Sequence, residues 1–178
     1  PKTPFNMRIK LYPFKKLCFV FAFSILSSFA FGQTTYTLIT STTDLVAGEK
    51  YIVANGKIGT VKLLSFQNSS NRDQTTNSYT VSGTNKITVT AATTNTDKAN
   101  GYDITLGGSS GSWTLYDAVN TGFLDTNFVG NSLEIKTAST NWTIAFGGSG
   151  NANINTAAFS GIYNVALQYN SSSTLFSC

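Results

Sequence analysis

Histidine is absent from the 178 residues, and proline occurs three times, at positions 1, 4 and 13. Without an imidazole, Ser/His and Cys/His nucleophilic catalysis and the usual zinc sites are excluded. With no proline after position 13, glycine and asparagine make the turns. There are two cysteines, Cys18 and Cys178, and charged residues are 11 % of the chain. Apolar runs long enough to interest a membrane occur once, between Leu17 and Phe31.

That run belongs to a leader. Met7-Arg-Ile-Lys10 and Lys15-Lys16 form a basic head, an apolar stretch follows, and Ala30 and Gly32 stand at the −3 and −1 positions before Gln33. This is the layout of a secretory signal peptide, expected as a helix cut near Gly32, with Pro1–Asn6 preceding the start. An uncleaved anchor fits less well because the run is shorter than the roughly 20 residues of a span. Lipidation fits least, with Cys18 at the front of the run. The sequence therefore predicts a leader over 1–33, a secreted, extracellular product, and membrane contact through the leader alone.

Five of the 12 basic residues and none of the 8 acidic ones lie in this leader, which leaves 7 against 8 and a net charge of −1 for the rest. The whole-chain isoelectric point of about 9.1 is thus no sign of nucleic-acid binding, which needs clustered Lys and Arg. Removing Cys18 leaves Cys178 alone, so no intrachain disulfide can form. Residues 34–178 are enough for one domain with its own core.

Within that domain the composition turns to Thr, Ser, Asn and Gly, yet short apolar alternations recur between turn residues, as in half-buried strands. Tyr36–Ile39, Lys50–Ala54, Tyr79–Val81, Lys86–Thr90, Trp113–Tyr116, Ser132–Lys136 and Val165–Tyr169 are examples. Asn55-Gly56 signals a hairpin. Gln67–Asn77, with no apolar residue, is expected as a surface loop, and Ser160-Gly161 as a turn. Tyr102-Asp-Ile-Thr-Leu-Gly-Gly108 is echoed 40 residues on by Trp142-Thr-Ile-Ala-Phe-Gly-Gly148. Ten to twelve strands with such a repeat predict an all-β fold, either a β-trefoil-like barrel of three four-stranded lobes or a two-sheet β-sandwich. Trp113 and Trp142, at alternating strand positions, are expected in the core.

Thr43-Asp-Leu-Val-Ala-Gly-Glu-Lys-Tyr-Ile-Val53, the 67–72 loop, Leu106–Ala118 and Leu167–Cys178 together resemble an all-β domain of secreted proteins from Bacteroidetes-type bacteria. The resemblance implies an accessory role beside other modules of one parent chain, such as lamin-tail, extracellular nuclease or phosphatase and type IX sorting domains. It carries no catalytic residues. Such relatives continue past the Phe-Ser-Cys segment into a last alternating strand, so the resemblance also implies a C-terminally truncated piece.

No catalytic residue, cofactor or metal ligand is expected. Cys178 lacks a His base and reads as structural. Asp117 and Asp125 flank a turn and could approach as a glycosidase pair or, with Asn120 and Asn127, hold Ca²⁺. Asp in such contexts more often ties down its own turn. Tyr116, Phe123, Tyr163 and Tyr169 lie near turns, where an aromatic ring beside Asn and Asp is the usual way to hold a sugar. The candidate ligand-binding set is Tyr116, Asp117, Asn120, Asp125 and Tyr169. The function this supports is a non-catalytic module binding carbohydrate or another cell-surface ligand, the alternative being a structural spacer in a larger extracellular hydrolase.

Overall fold

A computed structural model describes residues 32–126, 131–156 and 166–178. Residues 1–31 of the leader, Asn127, Tyr163 and the Ser160-Gly161 turn lie outside them. The chain divides into Pro1–Gly32 and Gln33–Cys178, and everything below concerns the second unit.

This unit is all-β. Its strands are β1 (Gln33–Thr37), β2 (Lys50–Tyr51), β3 (Gly59–Val61), β4 (Leu64–Asn68), β5 (Asn71–Gln74), β6 (Tyr79–Val81), β7 (Lys86–Thr90), β8 (Ile104–Ser109), β9 (Ser112–Asp117), β10 (Gly122–Asp125), β11 (Glu134–Lys136), β12 (Trp142–Phe146), β13 (Ala152–Thr156), β14 (Gln168–Asn170) and β15 (Leu175–Ser177). One short 3-10 turn, Thr42–Asp44, follows β1 and is capped by the Ser41 hydroxyl. The strands pair antiparallel in a seven-stranded sheet, a four-stranded sheet ordered β14-β15-β5-β4, and two ribbons, β1-β7 and β3-β6. No closed barrel forms among the described residues.

In the large sheet β9 is the shared strand. One edge pairs with β8 along its whole length, from Ser109↔Ser112 to Ile104↔Asp117. The other edge is divided, with Tyr116 and Asp117 opposite β10 and Trp113 opposite Trp142 of β12. The two halves of the 40-residue repeat are thereby equivalent: β8 and β12 each turn back through glycine into a hairpin partner, β9 and β13. Both tryptophans are buried, as their alternation predicts, and Trp142 Nε1 donates to the Leu124 carbonyl at 3.0 Å. Around them pack Leu64, Tyr102, Ile104, Leu106, Leu115, Leu124, Leu133 and Phe176, while Val61, Leu63 and Val89 form a smaller cluster.

Two expectations are corrected. Asn55-Gly56 does not make a two-residue hairpin: Asn55 N–H donates to the Lys62 carbonyl, Ala54 pairs with Leu63, and a longer loop with Gly59 at φ +67° intervenes. Gln67–Asn77 is not a surface loop, because β5 runs through it, paired on both edges and with Arg72 fully buried. Apolar counting misses such a strand because its core-facing residue is a cation held by partners distant in sequence.

Candidate functional site

Strict alternation along β9 sends Trp113, Leu115 and Asp117 inward and Ser112, Thr114 and Tyr116 outward. Parity therefore delivers a carboxylate to the core. A buried charge must be paired and hydrogen-bonded, and Asp117 is both. Its Oδ2 accepts from Arg72 Nη1 at 2.7 Å and from Asn120 Nδ2 at 2.8 Å; its Oδ1 accepts from the Val119 and Asn120 amides at 2.9 and 3.1 Å. These last bonds fold the β9–β10 turn, with Thr121 at φ +53°. Asp117 and Asn120 thus sit together as a turn clamp, the turn-forming alternative raised by their spacing.

The Arg72 guanidinium also donates through Nε to the Ser65 carbonyl at 2.7 Å and lies 4.7 Å from the Tyr102 ring centre. Its Nη2 is buried and has no hydrogen-bond partner among the described residues. Burial pulls the guanidinium below its ordinary pKa, and the charge of Asp117 pushes back. This pair is a structural centre closed to solvent.

The opposite face of the same hairpin meets water. Tyr116 and Phe123 are directly opposite in register and pack edge to face, with centroids 5.1 Å apart and planes at 63°. Both are partly exposed. The row continues across the sheet through Thr105, opposite Tyr116, to Lys50, and through Lys136, opposite Phe123. Lys50 is 3.5 Å from Asp103, and Lys136 is 3.6 Å from Asp125. Asp125 also accepts from the Thr126 amide at 2.7 Å. The result is an aromatic pair framed on each side by a cation and its carboxylate.

Four of the five candidates, Tyr116, Asp117, Asn120 and Asp125, therefore share one hairpin. They do not share a face. Asp125 stands three residues from the partner of Asp117 on β10, which places the two carboxylates on opposite sides of the sheet, about 10 Å apart along it. Tyr169 belongs to the four-stranded sheet, where its hydroxyl and Gln74 Oε1 are 2.6 Å apart and its ring lies 5.2 Å from that of Phe176. Among the described residues no three or more Asp, Glu or Cys gather as metal ligands would. Cys178 is buried, and its thiol is pushed up to about 12 by burial and, secondarily, by Asp125.

Sequence reasoning missed Arg72, and one signal could have located its surroundings. Asp97-Lys-Ala-Asn-Gly-Tyr102 and Asp117-Ala-Val-Asn-Thr-Gly-Phe123 share an Asp-x-x-Asn turn followed by glycine and an aromatic. The bonds are the same in both: Asp97 accepts from the Ala99 and Asn100 amides and from Asn100 Nδ2. Comparison of the chain with protein-family models, curated proteins and solved structures finds no match.

Proposed function

We propose that residues 34–178 form an exported, non-catalytic accessory module that binds carbohydrate through the outer face of the β9–β10 hairpin. The Tyr116–Phe123 pair carries this reading. A partly exposed aromatic pair on a rigid strand offers an apolar surface to a sugar ring, and the Thr105 hydroxyl and Lys136 supply hydrogen-bonding groups beside it, the buried Asp125 carboxylate lying 3.6 Å from the Lys136 amine. Asp117 and Asn120 act behind the surface, holding the turn that fixes Tyr116 opposite Phe123. The signal-type leader supports export, and the resemblance in the sequence supports a place beside other domains of a parent chain. For the fold, a seven-stranded and a four-stranded sheet with no closed barrel among the described residues are consistent with the two-sheet sandwich, and the trefoil-like plan rests on the 40-residue repeat alone.

A glycan array and polysaccharide pull-down on the full chain test this. Binding to a defined glycan that falls at least tenfold in Tyr116→Ala and Phe123→Ala, with unfolding midpoints close to wild type, is the expected result. An empty array, or binding indifferent to both substitutions, removes the sugar reading in favour of the spacer role.

A further inference from the structure

Lys50, Thr105, Tyr116, Phe123 and Lys136 are successive register partners on β2, β8, β9, β10 and β11. Directly opposed residues project from the same face of a sheet, so the five side chains form one line across the strands. Four strand spacings of about 4.8 Å make that line about 19 Å long at the backbone. A single sugar ring covers only part of it. The hydroxyls along the line are unengaged. Tyr36, Tyr51, Tyr79, Tyr102 and Tyr169 each donate to an oxygen of the protein, whereas the Tyr116 and Thr105 hydroxyls bond to none of the described residues. At the two ends the amines meet water and the acids hardly do: the Lys50 and Lys136 side chains are 60 % and 36 % exposed, against 14 % for Asp103 and 10 % for Asp125. Glu134 stands opposite Asp125 on the same face, which sets three carboxylates against two amines. The line therefore offers hydrogen-bond donors without an excess of positive charge.

On the premise that this face binds sugar, we infer that its ligand is a single, uncharged, linear glycan chain that crosses the strands along this line, stacking on Tyr116 and Phe123 near the middle and hydrogen-bonding Lys50 and Lys136 toward the ends. Three observations define the chain. The length of the line calls for an oligosaccharide. The charge balance selects against a uronic-acid chain, whose carboxylates would meet Asp103, Asp125 and Glu134. The planes of Tyr116 and Phe123 stand at 63°, which leaves no flat table of the kind a crystalline polysaccharide surface requires, and a free chain that can bend over both rings fits instead.

Titration calorimetry of the full chain with cello-, xylo-, manno-, laminari-, malto- and chito-oligosaccharides from disaccharide to hexasaccharide, with oligogalacturonates of matched length, and a pull-down on crystalline cellulose test the assignment. A neutral series should bind, tightening with each added sugar until the line is filled and then levelling, with oligogalacturonate at least about tenfold weaker and nothing retained on crystalline cellulose. Lys50→Ala, at the end remote from Phe123, should weaken the hexasaccharide about three- to tenfold, the loss shrinking as the chain shortens, whereas Tyr116→Ala weakens every length. Binding that Tyr116→Ala abolishes but Lys50→Ala leaves untouched at every length overturns the assignment and leaves the sugar reading standing. So does a disaccharide as tight as the hexasaccharide, or a preference for oligogalacturonate or crystalline cellulose. Binding to none of these probes overturns both.

Discussion

Arg72 Nη1 and Asp117 Oδ2 stand 2.7 Å apart with both side chains at 0 % exposure, joining β5 of the four-stranded sheet to β9 of the large sheet. The two residues are 45 positions apart in the chain. The pair locks a polar strand beneath an otherwise apolar core, and the same carboxylate ties the turn that presents Tyr116 and Phe123 to solvent. Core and candidate surface are thus two faces of one element.

Removing one member of this pair leaves the other as an uncompensated buried charge. Arg72→Met and Asp117→Leu should each lower the unfolding free energy by about 3–5 kcal/mol. The double variant should cost about 2–3 kcal/mol less than the sum of the two, with the residual loss coming from the untied Val119–Asn120 turn. Chemical denaturation of the four proteins measures the coupling; additive losses would mean that the ion pair is not the common cause.

The two Gly-Gly pairs of the repeat look alike but differ in what they require. A Cβ on Gly108 would stand 2.3 Å from the Ser112 carbonyl oxygen, and the residue has φ +82°. A Cβ on Gly148 meets nothing within 4 Å, and no positive φ constrains it. Gly108→Ala should therefore cost about 2–4 kcal/mol from clash and backbone strain together. Gly148→Ala should fall within about 0.5 kcal/mol of wild type. Thermal unfolding of both variants checks the difference.

Period-2 alternation was enough to read the all-β class, the strands around Trp113, Phe123 and Trp142, and the burial of both tryptophans. What stayed hidden was polar structure made by distant partners. Arg72 sits in a segment without an apolar residue, and nothing local in Asn-Arg-Asp-Gln indicates that its partner is Asp117. The aromatic pair is half legible: Tyr116 and Phe123 each stand near a turn in the sequence, but their juxtaposition depends on the β9–β10 register. Asp117 and Asp125 are close in sequence yet separated by parity, which only the register of β10 against β9 fixes. A cavity of about 390 Å³ gathers residues from Tyr36 to Phe176, a juxtaposition no window of sequence contains.

Trp142 links β12 to β9, through its register with Trp113, and to β10, through its indole bond to the Leu124 carbonyl. Trp142→Phe removes that bond and opens space in a fully buried site. A loss of about 2–4 kcal/mol is expected from the unpaired carbonyl and the cavity together. Trp142→Ala should lose at least as much again in packing. Urea denaturation followed by far-ultraviolet dichroism reads both, and a loss below about 1 kcal/mol for Trp142→Phe would show that the indole bond does not matter.

Alkaline pH should weaken the fold through its buried phenols. Tyr102 is wholly buried and donates to the Thr94 carbonyl at 2.8 Å. Burial pushes its hydroxyl up to about 12, partly offset by the Arg72 charge. Tyr36, bonded to Asp103, and Tyr79 are raised as well, chiefly by burial. In the unfolded chain these phenols release protons near pH 10, while the native state still holds them. Between about pH 10 and 12 the unfolded state therefore binds fewer protons, and stability falls as pH rises. The contribution is complete below pH 10 and is lost through the folded-state pKa. Tyr102→Phe should make this decline shallower by close to one proton, even though it costs some stability at pH 7 by orphaning the Thr94 carbonyl. Unfolding free energies from pH 8 to 11.5 for wild type and variant decide the point: parallel curves would mean that Tyr102 titrates alike in both states.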